Sequence, residues 1–431
     1  MLKNLNGNSK NFLPKLNFLL KKRRFNDTAI NLRVKQIIND VKKNRDKSLI
    51  KFEKKFSLIK LNKKRIALNN TEINNIIRKI DKKTKKSIDL AFQRIKNFHN
   101  KQQIKSFNIK DKYKNYLAYE SKPLNSVGVY VPGGNASYPS SVLMNCIPAL
   151  LAGVRNIYIS TPFKKNEINP AVIYAAKKCK VKTIYKIGGA QAIAAFAYGT
   201  ETIKKVDKIV GPGNQYVMLA KKEVFGDVGI DMVAGPSEVT IVADNSTNPK
   251  WIASDLLAQA EHDKFSQSIL ISNSEKVIKE VNTNIKLLLK KLPKKKIAEK
   301  SIKNFGYSIF CKSKKNTIDI INEIAPEHLE ICLKDTSKII KNIKNAGSIF
   351  LGKYSPEAMG DYLAGPNHVL PTSGAAKYSS GLSVYDFLKR RSIIKITKTG
   401  IESLGPSVIN LAKNEKLYGH ANSVEVRIEK D

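Results

Sequence analysis

The chain has 431 residues, of which 42% are hydrophobic, enough to bury a sizeable core and to form more than one domain. Its 77 Lys and Arg residues against 36 Asp and Glu residues produce a formal net charge of +41. The basic residues are spread along the chain without a recognised binding module, so we interpret them as a solvated surface and expect no nucleic-acid partner. No apolar run is long enough for a membrane span or a signal peptide, so we expect a cytoplasmic protein without a membrane partner.

The first predicted element is an amphipathic helix between Leu32 and Phe52. Its apolar residues Val34, Ile37 and Val41 recur at helical spacing. Beyond about residue 120, short β-branched runs alternate with helical segments such as Ala190–Ala197, a pattern typical of βαβ units and a parallel sheet. The predicted strands of this unit are Val127–Val131, Asn156–Ser160, Thr183–Ile187 and Lys208–Val210.

A second α/β series is predicted further along the chain. It contains strands at Glu238–Ala243, Ser268–Ser272 and Gly347–Leu351, with a helix near Trp251–His262. After about Val384 the regular alternation ends, which indicates a small C-terminal region or arm.

Four side chains are candidate metal ligands. Gln259 and His262 are three residues apart on a predicted helix and therefore share one face. That pair alone is weak, because most helical Gln and His residues at this spacing lie on the surface. Asp361 and His420 lie in Gly-containing segments where the backbone can approach a site closely, and they complete a nitrogen and oxygen set suited to zinc.

Glu327 and His328 are adjacent in APEHLEI and form a candidate proton-transfer pair. As a dipeptide the pair is unremarkable, and without a neighbouring metal site a surface pair would be the better interpretation. The zinc-protease motif HExxH is absent.

No GxGxxG fingerprint follows any predicted strand, which argues against an ordinary Rossmann domain. Instead, glycines follow three strands: Gly133-Gly134, Gly188-Gly189, and Gly211 with Gly213. Ligands bind at the carboxyl ends of strands in open α/β sheets, but tight turns explain any one of these glycines equally well. Cys146 has an apolar setting, so we expect a buried structural thiol rather than a nucleophile.

The segment IDMVAGPSEVTIVADNSTNPKWIASDLLAQAEH, from Ile230 to His262, closely resembles the long signature of the histidinol dehydrogenase family. Further matching segments cover nearly the whole chain: GVYVPGG, GGAQAIAAFAYGTETI, KIVGPGN, APEHLEI, the run from Gly347 to Gly381, and YGHANSVEVR. This family also binds its dinucleotide without GxGxxG, so that absence is no departure.

The resemblance implies a role for each matching residue. Glu327 and His328 match the catalytic pair, and one zinc ion per subunit is expected on Gln259, His262, Asp361 and His420. The substrate contacts are expected from the same four ligands together with Ser237, His328 and Glu415, and NAD contacts from Tyr130, Gln191 and Asn214. His368 lies near these residues in the family motif.

Together with the alternating elements, the resemblance implies an α/β protein with two Rossmann-like domains and parallel sheets. The expected regions are an N-terminal helical extension (1–30), a first domain with the metal and catalytic residues (31–120 and 237–383), a nucleotide domain (121–236), and a C-terminal region and dimer arm (384–431).

The implied activity is the NAD-dependent oxidation of L-histidinol through L-histidinal to L-histidine by a homodimer with shared active sites. His328 suits the removal of the hydroxyl proton, and Glu327 suits activation of the water that adds to the aldehyde. The alternative is a zinc-dependent hydrolase in which Glu327 activates a metal-bound water, and production of NADH from histidinol distinguishes the two.

Overall fold

The computed structural model describes residues 1–21, 28–102, 104–133, 138–163 and 168–429. Numbered in chain order, the strands are β1 (Lys3–Asn6), β2 (Phe107–Lys110), β3 (Tyr116–Pro123), β4 (Ser126–Tyr130), β5 (Asn156–Ser160), β6 (Thr183–Tyr185), β7 (Lys208–Val210), β8 (Gly229–Ile230), β9 (Glu238–Ala243), β10 (Gln267–Ser272), β11 (Gly306–Phe310), β12 (His328–Cys332), β13 (Ser348–Leu351) and β14 (Leu388–Lys395).

The helices are α1 (Phe12–Lys21), α2 (Thr28–Phe56), α3 (Asn70–Ile77), α4 (Lys82–His99), α5 (Pro139–Ala152), α6 (Pro170–Lys178), α7 (Gly189–Tyr198), α8 (Gln215–Val224), α9 (Pro249–Ala260), α10 (Glu275–Leu289), α11 (Lys295–Phe305), α12 (Lys314–Ile324), α13 (Ser337–Ile340), α14 (Glu357–Tyr362), α15 (Lys398–Asn414) and α16 (Tyr418–Ile428). No helix of the described residues is long and apolar enough to span a membrane.

The first α/β unit is a five-stranded parallel sheet in the order β6-β5-β4-β7-β8. Its β-branched residues, such as Val127, Val129 and Ile159, are fully buried between helices on both faces, as expected for a parallel sheet. The four strands predicted for this unit are confirmed: β5 and β7 agree residue for residue, and ends of β4 and β6 shift by one or two residues.

The helices of residues 28–99 surround this five-stranded sheet, whereas we expected residues 31–120 to belong with the other unit. Val34, Ile38 and Val41 of α2 share one core with Tyr130 and the buried residues of α7. The small side chains along Ala190–Ala197 let α2 pack closely against α7. The apolar stripe predicts the helix correctly, but a stripe does not specify the surface that covers it.

The second unit is a six-stranded parallel sheet in the order β1-β11-β10-β9-β12-β13. Its edge strand, β1, comes from the segment that we expected to be a helical extension. That segment therefore begins with a strand and continues with helix α1, which packs on α12; residues 22–27 lie outside the described part of the chain.

The third sheet is antiparallel, in the order β14-β3-β2, and it joins residues 107–123 to the C-terminal region. After β14 the chain forms α15 and α16, which pack against each other. The C-terminal region is therefore a sheet strand and a helical pair, and its sheet includes β2 and the larger part of β3, which we expected in the first domain.

Candidate active site

His328 begins β12 and is buried at 5% exposure. Its Nδ1 atom lies 3.2 Å from the Glu238 carbonyl oxygen and 3.3 Å from the Gln259 amide nitrogen. Its Nε2 atom lies 4.0 Å from an oxygen of Asp361. Because β9 and β12 are neighbouring parallel strands, their first residues, Glu238 and His328, lie at the same edge of the sheet.

Two groups of opposite hydrogen-bonding character approach His328 Nδ1, the Glu238 carbonyl oxygen and the Gln259 amide nitrogen. A carbonyl oxygen can only accept, so a hydrogen bond to Glu238 places the hydrogen on Nδ1, and the Gln259 amide nitrogen then makes no hydrogen bond to that atom. In this tautomer Nε2 carries the lone pair on the side of Asp361. Burial lowers the pKa of the imidazole, against the opposing effect of Asp361, and therefore favours a neutral base.

Glu327 is held beside His328 by the backbone of β9. The Glu238 N–H donates to Glu327 Oε2 at 2.8 Å, and that oxygen lies 3.7 Å from His328 Nδ1. Pro326 precedes the pair and constrains the chain where it enters the strand. The structure thus places both members of the predicted proton-transfer pair in one buried pocket, both at 5% exposure.

Two of the four candidate metal ligands lie beside the His328 imidazole. Gln259, at 1% exposure near the end of α9, approaches one side, and Asp361 of α14 approaches the other. His262 follows the end of α9 and is more exposed; desolvation by surrounding protein lowers its pKa, while the charge of Asp361 raises it. An amide, an imidazole and a carboxylate are donors that suit zinc, so these residues fit the expected ion.

Asp361 also interacts with His368, whose Nδ1 lies 3.6 Å from its Oδ1. Burial opposes ionisation of Asp361, but the hydrogen bond from His368 and the nearby imidazoles hold the carboxyl pKa below its ordinary value. His368 is thus part of the cluster and contacts a candidate ligand.

Glu415 and His420 are both exposed, directly after α15 and in the first turn of α16. Within the described residues, no three His, Cys, Asp or Glu side chains are grouped so that they could hold a metal ion. The described part of one chain therefore does not assemble the candidate His and Asp ligands into a finished metal site.

Ser237 precedes β9 and accepts a hydrogen bond from the Gln267 N–H through its carbonyl oxygen at 3.0 Å. It is half-buried and lies one residue before Glu238, whose backbone contacts both Glu327 and His328. This position places Ser237 at the same edge of the six-stranded sheet as the proton-transfer pair.

A group of buried carboxyls behind the cluster was missed by the sequence reasoning. Glu330 accepts a hydrogen bond from the Glu357 N–H at 2.7 Å and thereby caps α14. Glu357 Oε2 lies 3.8 Å from His328 Nδ1. Burial raises the pKa of Glu357 and of Glu330 well above the ordinary value, with further increases from neighbouring carboxylates, and burial raises the pKa of Asp255 to about 6.

One signal for these residues was present in the sequence. Glu330 is two residues after His328 on a strand, and Glu357 is four residues before Asp361 on a helix. Each therefore shares a face with a candidate site residue, but side-chain direction depends on pairing that sequence spacing does not specify.

The expected dinucleotide contacts lie at the carboxyl ends of the five-stranded sheet. Tyr130 ends β4, is buried, and accepts a hydrogen bond from the Gly189 N–H through its hydroxyl at 3.0 Å; burial raises its pKa to about 12. Gln191 lies in the first turn of α7 at 2% exposure. Asn214 is exposed and caps α8 by accepting from the Val217 N–H at 3.2 Å.

The turn at Gly211 requires a glycine for structural reasons that do not involve a ligand. Gly211 has a φ of +110°, and a Cβ there would lie 2.2 Å from the Tyr130 carbonyl oxygen, so no other residue fits. A buried ion pair between Lys221 and Asp231 holds this turn from both sides, since Lys221 donates to the Gly211 carbonyl and Asp231 accepts from its N–H. Gly133 precedes Gly134, which lies outside the described residues.

Cys146 is fully buried in α5, where burial and the neighbouring Cys179 raise its pKa well above the ordinary value. The expectation of an unreactive structural thiol is confirmed in its burial, because a reactive thiol needs a lowered pKa and access to solvent.

Comparison with known proteins agrees with the geometry. The family model described as histidinol dehydrogenase matches residues 20–428. A histidinol dehydrogenase of Pelagibacter ubique is 55% identical over 99% of both chains, and histidinol dehydrogenase 1 of a Nostoc species is 45% identical over 99% of this chain and 98% of its own. The crystal structure of histidinol dehydrogenase from Elizabethkingia anophelis superposes with a TM-score of 0.92 at 38% identity, covering 99% of this chain and 98% of its own. The two parallel sheets, the buried proton-transfer pair and these matches across nearly the whole length show that the chain belongs to the histidinol dehydrogenase family.

Proposed function

We propose that this protein is a zinc-containing dehydrogenase that uses NAD to oxidise L-histidinol to L-histidinal and then to L-histidine. The observation that carries the proposal is the buried cluster in which the His328 imidazole lies between Gln259, Glu327 and Asp361. When bound, zinc supplies a redox-inert Lewis acid for the amine and imidazole of the substrate, and NAD supplies the hydride acceptor.

In the first step, His328 removes the proton of the substrate hydroxyl as the carbinol C–H passes a hydride to the acceptor. The Glu238 carbonyl keeps the hydrogen on Nδ1, so Nε2 is the atom that takes the proton. The product is the aldehyde. Because His328 is buried, the imidazolium that forms is stabilised by the nearby Asp361 rather than by bulk water.

In the second step, water adds to the aldehyde before a second hydride leaves to a second NAD. Glu327 is the group that suits removal of a proton from this water, since its carboxylate is fixed by the Glu238 N–H. The resulting hydrate loses its C–H hydride and becomes the carboxylate of histidine. One pocket thus serves both oxidations.

We also propose that the active protein is a cytoplasmic homodimer in which Glu415 and His420 of one chain complete the site of the other. Exposed apolar side chains on the C-terminal elements support this assembly: Ile394, Val408, Leu411, Tyr418 and Val426 are each between 44% and 68% exposed. Such a patch is typical of a surface that is covered by a partner. The four free, buried cysteines suit a reducing compartment.

The test is a spectrophotometric assay of NADH formation with histidinol as the substrate, with and without a metal chelator. We expect two NADH per histidinol, histidine as the product, and loss of activity on chelation that added zinc restores. Hydrolysis products without NADH would instead identify a zinc hydrolase.

A further inference from the structure

The Glu53 carboxylate is buried beside the five-stranded sheet, and its hydrogen-bond donors within the described part of the chain are all uncharged. It is fully buried, and it accepts hydrogen bonds from the Gly188 N–H at 2.9 Å, from Gln191 Nε2 at 2.8 Å and from the Ser57 hydroxyl at 2.6 Å. Burial raises its pKa, while these donors oppose the change. Burying a carboxylate is costly unless its partners compensate for the lost hydration, so the place of Glu53 in the fold requires an explanation.

The position of Glu53 is unfavourable for its own helix. It lies in the last turn of α2, where the helix dipole disfavours negative charge. It reaches instead the first turn of α7, where the dipole favours negative charge and the backbone N–H groups lack partners within the helix. The carboxylate is thus stabilised by α7, not by α2.

At the start of α7, two backbone N–H groups are already bonded by side chains. Gly188 donates to Glu53, and Gly189 donates to the Tyr130 hydroxyl. In many nucleotide-binding folds this end of a helix binds the phosphates of the ligand. Here a carboxylate of the protein occupies that place.

We propose that Glu53 is a positioning residue for the dinucleotide: it fixes the amide of Gln191 and the Gly188-Gly189 turn so that Gln191 and Tyr130 meet NAD in a set orientation. The inference rests on the proposed function and on the NAD contacts that the family resemblance implies for Tyr130 and Gln191. Gln191 has its Nε2 atom committed to Glu53, so its carbonyl oxygen is the end that is oriented for a ligand donor.

The test compares three substitutions at Glu53 with a matched control. Glu53→Ala removes the acceptor, Glu53→Asp keeps the charge but withdraws it by one methylene, and Glu53→Gln keeps an oxygen acceptor at full length. The control is Asp46→Ala, because Asp46 is equally buried on α2 but accepts from the Thr202 hydroxyl at 2.6 Å, beyond the other end of α7.

We expect Glu53→Ala and Glu53→Asp to raise the KM for NAD about tenfold, as for the loss of one hydrogen bond to a charged group, with the KM for histidinol unchanged within about twofold. Glu53→Gln should restore most of the NAD affinity. In the Glu53→Ala background, Gln191→Ala should raise the KM for NAD by a smaller factor than it does in the wild-type protein, because the two residues act as a unit. Asp46→Ala should lower the Tm and leave the KM for NAD unchanged.

Calorimetric titration of each zinc-loaded variant with NAD provides a second readout. Folded Glu53→Asp or Glu53→Ala protein with wild-type NAD affinity would overturn the proposal, as would an equal rise of both KM values. If Glu53→Ala does not fold, the difference in NAD affinity between Glu53→Asp and Glu53→Gln still tests the proposal. Failure of the wild-type protein to reduce NAD with histidinol would instead contradict the proposed function.

Discussion

The side chains of the candidate metal site come from different elements. Gln259 is buried against His328, whereas His262 and Asp361 approach from the end of α9 and from α14. We predict that His262→Ala and Asp361→Ala each lose bound zinc and at least about 100-fold in activity together, because each removes one donor from a small ligand set.

Metal analysis of the purified variants beside the NADH assay checks this prediction. Glu261→Ala is the control, since it removes a neighbouring carboxylate that we do not place in the ligand set. Metal-free His262→Ala protein with full activity would show that the ligand assignment is wrong.

The division of labour between Glu327 and His328 also belongs to the residue scale. We predict that Glu327→Gln slows oxidation of histidinal by about 10²- to 10⁴-fold, because only the aldehyde step needs an activated water. The first hydride transfer from histidinol should be much less affected, since an amide oxygen can still accept from the Glu238 N–H. Single-turnover measurements on each substrate separate the two steps, and equal losses would contradict the division.

At the scale of elements, buried carboxyls join the helices and the strand that supply the site. Glu330 on β12 caps α14 through the Glu357 N–H, and Asp255 on α9 raises the pKa of Glu330 further. Because burial and neighbouring carboxyls raise their pKa values, these groups keep their protons at pH values where the same groups of the unfolded chain have lost them. The packing of α9 and α14 against β12 therefore depends on pH.

Asp255 provides the sign of that dependence. Its pKa is about 6 in the folded chain against 3.8 in the unfolded chain, because burial disfavours the charged form. The stabilising contribution is full below about pH 4 and is lost as the pH rises through 6, since the unfolded chain then binds fewer protons.

We predict that the free energy of unfolding falls by about 1 kcal/mol per pH unit from this group between pH 4 and 6, and that Asp255→Asn makes the dependence shallower. Thermal melts of both proteins across this range measure the difference. Parallel pH profiles for the two proteins would show that Asp255 ionises normally in the fold.

At the scale of the whole molecule, the position of His420 in the C-terminal region bears on the candidate ligand set. Gln259, His262 and Asp361 lie on or beside elements that precede this region, whereas His420 is exposed on α16. Exchange of an element between identical chains is an economical route to a dimer and places matching surfaces against each other.

We predict that co-refolding two inactive variants, His328→Ala and His420→Ala, restores activity. With crossed arms, each mixed dimer has one site with both defects and one site with none, so about half of the wild-type activity per mixed dimer is expected. Both single variants should be inactive alone.

The matched control mixes His328→Ala with Glu327→Gln. Both changes lie in the same half of the site, so no mixed dimer contains an intact site and aldehyde oxidation should stay low. If the His328→Ala and His420→Ala mixture is equally inactive despite verified mixed dimers, His420 acts within its own chain.

The local sequence pattern was sufficient to predict many of the strands and helices of the fold. β-Branched runs such as Asn156–Ser160 and Glu238–Ala243 predict strands whose observed ends agree residue for residue, because a strand buried on both faces is mostly apolar rather than alternating. The apolar stripe of α2 is equally local, since helical spacing acts within a few residues.

The tertiary structure decided what those elements face. Residues 28–99 cover the five-stranded sheet, and β1 joins the six-stranded one, because an apolar stripe fits any complementary surface and only packing selects it. The same reason applies to the carboxyls of Glu53, Glu330 and Glu357. Their chemistry arises from burial and from partners that are remote in sequence, such as Gly188 for Glu53, and no spacing along the chain encodes either one.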